Sequence, residues 1–207
     1  MKTLAIISRK GGAGKTTIAV HLAVLADALG ISAAVFDLDP QATAALWADR
    51  RKAATPAVVP AQSPRLVPLL SQARERKAGL VILDTAPHAD GIAVDAIAQA
   101  DLVLIPCRPS TFDLDAISSS ISLAENARKP AFVILNAAPV QGAEAAQART
   151  SLEGFGVKVC PVILYHRKAF SSYAPEGKTA NEIEPKGKAA QEINQLFDFV
   201  NSKLNIY

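Results

Sequence analysis

Short apolar runs that alternate with longer helical stretches predict an α/β fold, a doubly wound and mainly parallel β-sheet flanked by helices. Two further observations support this class. Several runs are continuous Val, Ile and Leu rather than alternating with polar residues, as in strands covered on both faces. A glycine-rich turn also joins the first run to the first helix. The predicted strands are residues 4–8, 33–37, 57–59, 80–84, 102–106, 131–136 and 157–163. Helical spacing predicts helices at 16–29, 43–52, 64–77, 91–99, 116–128, 144–153 and 188–204. Gly30 follows the first helix as a stop signal. The proline-bearing stretch 53–63 is weakly patterned, and the polar stretch 165–186 reads as a long loop. Loops of that length in compact domains tend to be functional.

Neither composition nor charge demands more than one domain over residues 1–207. Half the residues are apolar and only 5% are aromatic, which fits closely packed, alanine-rich helices. A formal charge of +3 falls short of a protein whose charge alone marks it as a nucleic-acid binder. The two cysteines, Cys107 and Cys160, are isolated, which favours a reducing compartment. The first apolar run is too short for a secretion signal, and no run approaches the ~20 residues that span a bilayer. The expected location is the cytoplasm.

The turn reads Ser8-Arg9-Lys10-Gly11-Gly12-Ala13-Gly14-Lys15-Thr16-Thr17, between a predicted strand and a predicted helix. Glycines let a backbone curl its N–H groups toward phosphates, and the helix N-terminus adds a favourable dipole. Lys15 would reach the β and γ phosphates and Thr16 would ligate Mg²⁺. The ordinary P-loop begins with a glycine where Arg9 stands, and Lys10 adds a second lysine. Asp84 ends an apolar run in the manner of carboxylates that hold a magnesium shell. Asp37 and Asp39 end another, so all three carboxylates would open on the crevice that holds the loop. One of the Asp37/Asp39 pair would position or activate the attacking water.

These residues resemble the ParA/MinD family of deviant Walker P-loop ATPases. Lys10-Gly11-Gly12-Ala13-Gly14-Lys15-Thr16-Thr17 matches that family's K-G-G-x-G-K-[ST]-[ST]. Asp37-Leu38-Asp39-Pro40-Gln41 matches its D-x-D-P-Q, and Leu83-Asp84-Thr85-Ala86-Pro87 its Walker B segment. The resemblance implies an ATP- and Mg²⁺-dependent homodimer in which Lys10 reaches the partner's phosphates. It implies that Asp39 readies the hydrolytic water while Asp37, with Thr16 and Asp84, supports the magnesium region. Hydrolysis would be slow until a ParB-like or cargo-adaptor protein stimulates it. The ATP-bound dimer would bind DNA without sequence preference, on the nucleoid, to segregate plasmid or chromosomal DNA or to position a cargo.

The chain starts at its first strand, so no N-terminal helix-turn-helix is expected, as in small partition ATPases. Non-specific DNA binding needs cations on one face. Candidates are Arg167, Lys168, Lys178, Lys186 and Lys188, with further clusters at Arg50-Arg51-Lys52 and Arg74, Arg76 and Lys77. An alternative is a MinD-like or regulatory ATPase whose dimer docks on a protein or membrane. The last helix has apolar residues at helical spacing but lacks a basic polar face, which argues for packing on the sheet. An iron–sulfur role would require a cysteine pair that Cys107 and Cys160 do not form convincingly. Asn136, at a strand end, either reads the adenine edge or forms a turn. His88 either senses the γ-phosphate or is a loop residue.

Overall fold

A computed structural model describes residues 1–206. The strands are β1 Lys2–Ile6, β2 Ala33–Asp37, β3 Ala57–Pro60, β4 Leu80–Asp84, β5 Leu102–Cys107, β6 Ala131–Ala138 and β7 Val159–Tyr165. They form one sheet in the order β3-β2-β4-β1-β5-β6-β7, with every neighbouring pair parallel. The longer helices are α1 Lys15–Ala28, α2 Thr43–Arg50, α3 Leu66–Glu75, α4 Asp90–Gln99, α5 Thr111–Asn126 and α6 Glu144–Gly154. Two four-residue helices, α7 Ala169–Ser172 and α8 Ala180–Ile183, precede the terminal α9 Lys188–Leu204.

The continuous apolar strands are explained by a core on each face. In β1, Leu4 and Ile6 join the cluster under α1 and α9, whereas Ala5 joins the cluster under α3 to α6. Leu80 and Ile82 of β4 feed the first core, and Val81 and Leu83 the second. The final helix buries Ala189, Ile193, Leu196, Phe197, Val200 and Leu204, so its apolar stripe is spent on the protein's own core. Among the described residues no helix is long and apolar enough to cross a membrane.

Strands β1 and β7 are each displaced by two residues from the expected 4–8 and 157–163, and α2 and α3 end short of their expected bounds. Two stretches depart further. Helix α5 starts at Thr111 rather than 116, because Ser110 accepts the Asp113 backbone N–H and caps it. The expected loop over 165–186 contains α7, a 3₁₀ turn at Ala174–Glu176 and α8. The Glu182 carboxylate accepts the Thr179 N–H at 2.9 Å and the Thr179 hydroxyl at 3.0 Å, fixing the start of α8. Gly177 has a φ of +66°, and a Cβ there would lie 2.4 Å from the Arg51 backbone nitrogen. Only glycine fits that approach.

Arg51 is the anchor of this segment. Its guanidinium bonds both Glu182 oxygens at 3.0 and 2.8 Å, the Gly177 carbonyl at 2.9 Å and the Thr55 carbonyl at 2.7 Å. It also packs over Trp47, and only 8% of its side chain is exposed. The expected basic surface at Arg50-Arg51-Lys52 therefore holds two exposed cations and one structural arginine. His21 of α1 ties the same segment to that helix. Its Nδ1 donates to the Thr17 carbonyl at 2.8 Å, and its Nε2 accepts the Ala180 N–H at 3.2 Å. Burial pushes its imidazole down to about 4, so the ring is neutral near pH 7.

Candidate nucleotide site

The phosphate loop runs from the end of β1 to the start of α1 and sits at the carboxyl edge of the sheet. Strand register brings Ile6, Asp37 and Asp84 into one row there, since Ile6 pairs with Asp84 and Asp37 with Asp84. Chain connections depart to opposite sides of β1, the arrangement that opens a crevice at strand ends. Gly14, the N-cap of α1, has φ +95°, and a Cβ there would fall 2.1 Å from Asn136 Nδ2. Asn136 uses that nitrogen to donate to the Ala13 carbonyl at 2.6 Å, pinning the loop to the end of β6.

Charges at the loop are buried and poorly matched. Lys15 is 6% exposed, and its ammonium donates to the Ser8 carbonyl at 3.2 Å. Burial lowers its pKa, while Asp84 and then Asp39 raise it. Asp84 is fully buried, and neither of its carboxylate oxygens has a hydrogen-bond partner among the described residues. Burial pushes its carboxyl up to about 7. The Thr16 hydroxyl beside it acts to lower that value but stops short of hydrogen-bond geometry. Asp37 raises it, Lys15 lowers it and Asp39 raises it further. A native protein rarely leaves two carboxylate oxygens orphaned unless a ligand completes them.

That orphaned carboxylate and the adjacent Thr16 hydroxyl are a donor set that fits magnesium, a hard cation that keeps waters and shares phosphate oxygens. No group of three or more His, Cys, Asp or Glu side chains suited to a metal exists among the described residues. The protein would thus hold Mg²⁺ jointly with phosphates rather than in a cage of its own. Asp37 stands beside this pair but is differently employed. Its oxygens accept the Asp39 N–H at 3.1 Å and the Ala45 N–H at 3.0 Å, which fixes the start of α2. Burial raises its pKa, and those two N–H groups oppose the rise.

Asp39 is half-buried and borders a groove of about 710 Å³ lined by Pro60, Gln62, Arg65 and Ile92 among others. One oxygen accepts the Gln41 N–H at 2.9 Å, and the carboxylate makes no other hydrogen bond among the described residues. Lys10 is exposed with its ammonium unpaired among the described residues, beside the exposed Gly11 and Gly12, while Thr17 is half-buried. His88 is exposed, with a φ of +54° in the turn after β4. Asp90, the first residue of α4, pairs with Arg9 at 3.1 Å.

On the other side of the loop lies a recess of about 190 Å³ lined by Gly12, Gly14, Asn136, Tyr165, Arg167 and Phe170 among others. The structure separates Arg167 from the other expected DNA-facing cations. Its guanidinium bonds Glu192 at 2.6 Å and packs over Tyr165. Lys178 is half-buried and pairs with Glu176 at 2.9 Å. Lys168, Lys186 and Lys188 are exposed, as are Arg74, Arg76 and Lys77. Cys107 and Cys160 are buried free thiols, pushed up to about 12 and about 11 by burial. Sequence reasoning missed Arg108, which contacts the loop, and His21, which ties α1 to α8. Both act across more than 90 residues of chain, and nothing local to them signals it.

Comparison with known proteins agrees with this geometry. Residues 4–180 match the CobQ/CobB/MinD/ParA nucleotide binding domain. The chain is 30% identical to Maintenance of carboxysome distribution protein A of Halothiobacillus neapolitanus, over 96% of this chain and 95% of that protein. It is 29% identical to Protein ParA of Rhizobium radiobacter, over 96% and 94% respectively. The fold superposes on an ATP complex of a Cyanothece McdA variant with a TM-score of 0.75 at 18% identity, covering 100% of this chain and 97% of the other. The chain is therefore a member of the CobQ/CobB/MinD/ParA nucleotide-binding family, with the ParA/MinD form of phosphate loop.

Proposed function

We propose that residues 1–207 work as a single ATPase domain whose ATP-bound form is a homodimer that binds DNA without sequence preference. Its cycle would segregate DNA or position a cargo in the cytoplasm, on the nucleoid, with hydrolysis stimulated by a ParB-like or cargo-adaptor protein. The observation that carries the ATPase reading is the buried set of Lys15 and Asp84, a charged pair left incomplete at the end of a phosphate loop. A Mg²⁺–triphosphate would complete both. Thr16 and Asp84 are the residues that would hold the metal, and its chemistry there is to neutralise charge on the phosphates. Lys15 would bind the β and γ phosphates, and Asp39, with an oxygen to spare, would orient the attacking water.

The dimer is supported by Lys10, whose exposed ammonium has no partner among the described residues. Adenine over guanine is supported by Asn136. With Nδ2 committed to Ala13, its oxygen is left to accept from an exocyclic amino group, which adenine has where guanine carries a carbonyl. The cargo or segregation role is supported by the names of two relatives, a carboxysome distribution protein and a ParA. Exposed Lys168, Lys186 and Lys188 supply cations for a phosphate backbone. A gel shift on arbitrary duplex DNA tests the reading. Binding should require ATP with magnesium and weaken steeply with salt. Absence of a shift under those conditions would replace DNA with a protein or membrane as the dimer's dock.

A further inference from the structure

One cation at the loop belongs to no motif. Arg108 follows β5, 96 residues from the loop in sequence, yet its Nη2 donates to the Gly12 carbonyl at 2.5 Å. The guanidinium is exposed and forms no ion pair among the described residues. The other arginines beside the loop and its recess are charge-matched: Arg9 meets Asp90, and Arg167 meets Glu192. Arg108 also lines the recess shared with Gly14, Thr17 and Asn136.

A guanidinium offers five N–H donors in a planar fork, and a single carbonyl uses one of them. The rest match the oxygens of a phosphate. The Gly12 contact holds the fork beside the loop, and its charge stays unanswered until an anion arrives. Lys15 approaches from the buried side of the loop; with Arg9 paired to Asp90 and the exposed Lys10 assigned to the partner's phosphates, Arg108 is the exposed-side cation left for its own subunit's nucleotide.

We propose that Arg108 is a phosphate-binding residue that grips the nucleotide's phosphates from the open side of the loop, within its own subunit. This rests on the nucleotide reading above. A residue that only props the loop would need a donor for Gly12, not a charge. Arg108→Gln keeps a donor and removes the charge, whereas Arg108→Lys keeps the charge. The experiment is calorimetric ADP binding by the wild type and both variants, with unliganded melting temperatures as a check on folding. Because the side chain is exposed, neither replacement should disturb the fold. Arg108→Gln should weaken ADP binding roughly tenfold and flatten its dependence on salt, and Arg108→Lys should recover most of the loss. Wild-type ADP affinity in Arg108→Gln would overturn the proposal and leave the arginine as a prop. Intact ADP affinity with impaired ATP-driven dimerisation would also overturn it, assigning the arginine to the partner's nucleotide. A wild-type protein that ignores ADP would instead overturn the nucleotide reading itself.

Discussion

The two sides of the loop treat their polar groups in opposite ways. On the phosphate side, Lys15 and Asp84 are buried with their charges incompletely matched, and both Asp84 oxygens are orphaned. On the far side of α1, the segment after β7 has its charged groups and imidazole matched, although Asn181 Oδ1 is not: Arg51 makes four hydrogen bonds, His21 uses both ring nitrogens, and Glu192 bonds both Arg167 and the Tyr165 N–H. Unsatisfied buried charge costs stability and persists where a ligand repays it. Saturated charge builds the frame. The comparison separates binding residues from scaffold residues, and mutations on the two sides should fail differently.

The largest effect belongs to Lys15. Lys15→Ala should lower ATP affinity roughly 100-fold or more, since charge-assisted bonds to two phosphates go with it. The unliganded fold should remain as stable as before. Unchanged ATP affinity by calorimetry would contradict the loop assignment.

Asp84 gives a signed pH test. Its folded pKa is raised to about 7, so the folded chain keeps a proton that the unfolded chain releases above about pH 4. Its contribution is therefore most favourable below about pH 4 and declines as pH rises to about 7, by about 4 kcal/mol at most. His21 has the opposite slope. Its folded pKa is lowered to about 4, so its contribution declines as pH falls from about 6.5 toward 4. The two slopes oppose each other between about pH 4 and 6.5. Urea melts of Asp84→Asn should therefore show stability rising with pH across that window, and higher stability than wild type at pH 8. The same variant should lose magnesium-dependent ATP binding. A pH profile identical to wild type would mean the buried carboxylate is not the titrating group.

On the frame side, Arg51→Ala should cost about 2–3 kcal/mol in a denaturant melt, because it leaves Gly177, Thr55 and Glu182 without their donor. Glu182 is partly exposed, which keeps the loss below that of a fully buried pair. ADP affinity should stay within about twofold. A large loss of affinity without loss of stability would reverse the comparison.

How much of this was legible in the sequence follows the same division. The phosphate loop, Asp37, Asp39 and Asp84 are contiguous motifs, each at a strand end, and local pattern is enough to find them. The predicted strands and the terminal helix over 188–204 stand for a related reason, since a run buried on two faces or one stripe keeps its period. The frame pairs join residues 159 apart for His21 and Ala180, and 131 apart for Arg51 and Glu182. Nothing local distinguishes Arg51 from its exposed neighbours Arg50 and Lys52. The two short helices before α9 are too brief for periodicity. The cue for α8 is the Thr179-to-Glu182 capping spacing, just as Ser110 and Asp113 mark the true start of α5.

The smallest expected effect lies on the surface. Lys188→Ala should leave stability unchanged and lower ATP-dependent DNA affinity roughly threefold, reducing the salt slope by about one. No change in that slope would move the DNA face elsewhere.

The most direct test of an ATP-driven switch is the oligomeric mass of Asp39→Ala protein with ATP and magnesium. Removing Asp39 should stop hydrolysis while Lys10, Lys15, Thr16 and Asp84 still bind, so the expected result is a stable dimer with ATP and a monomer without it. A monomer at saturating ATP would contradict the account.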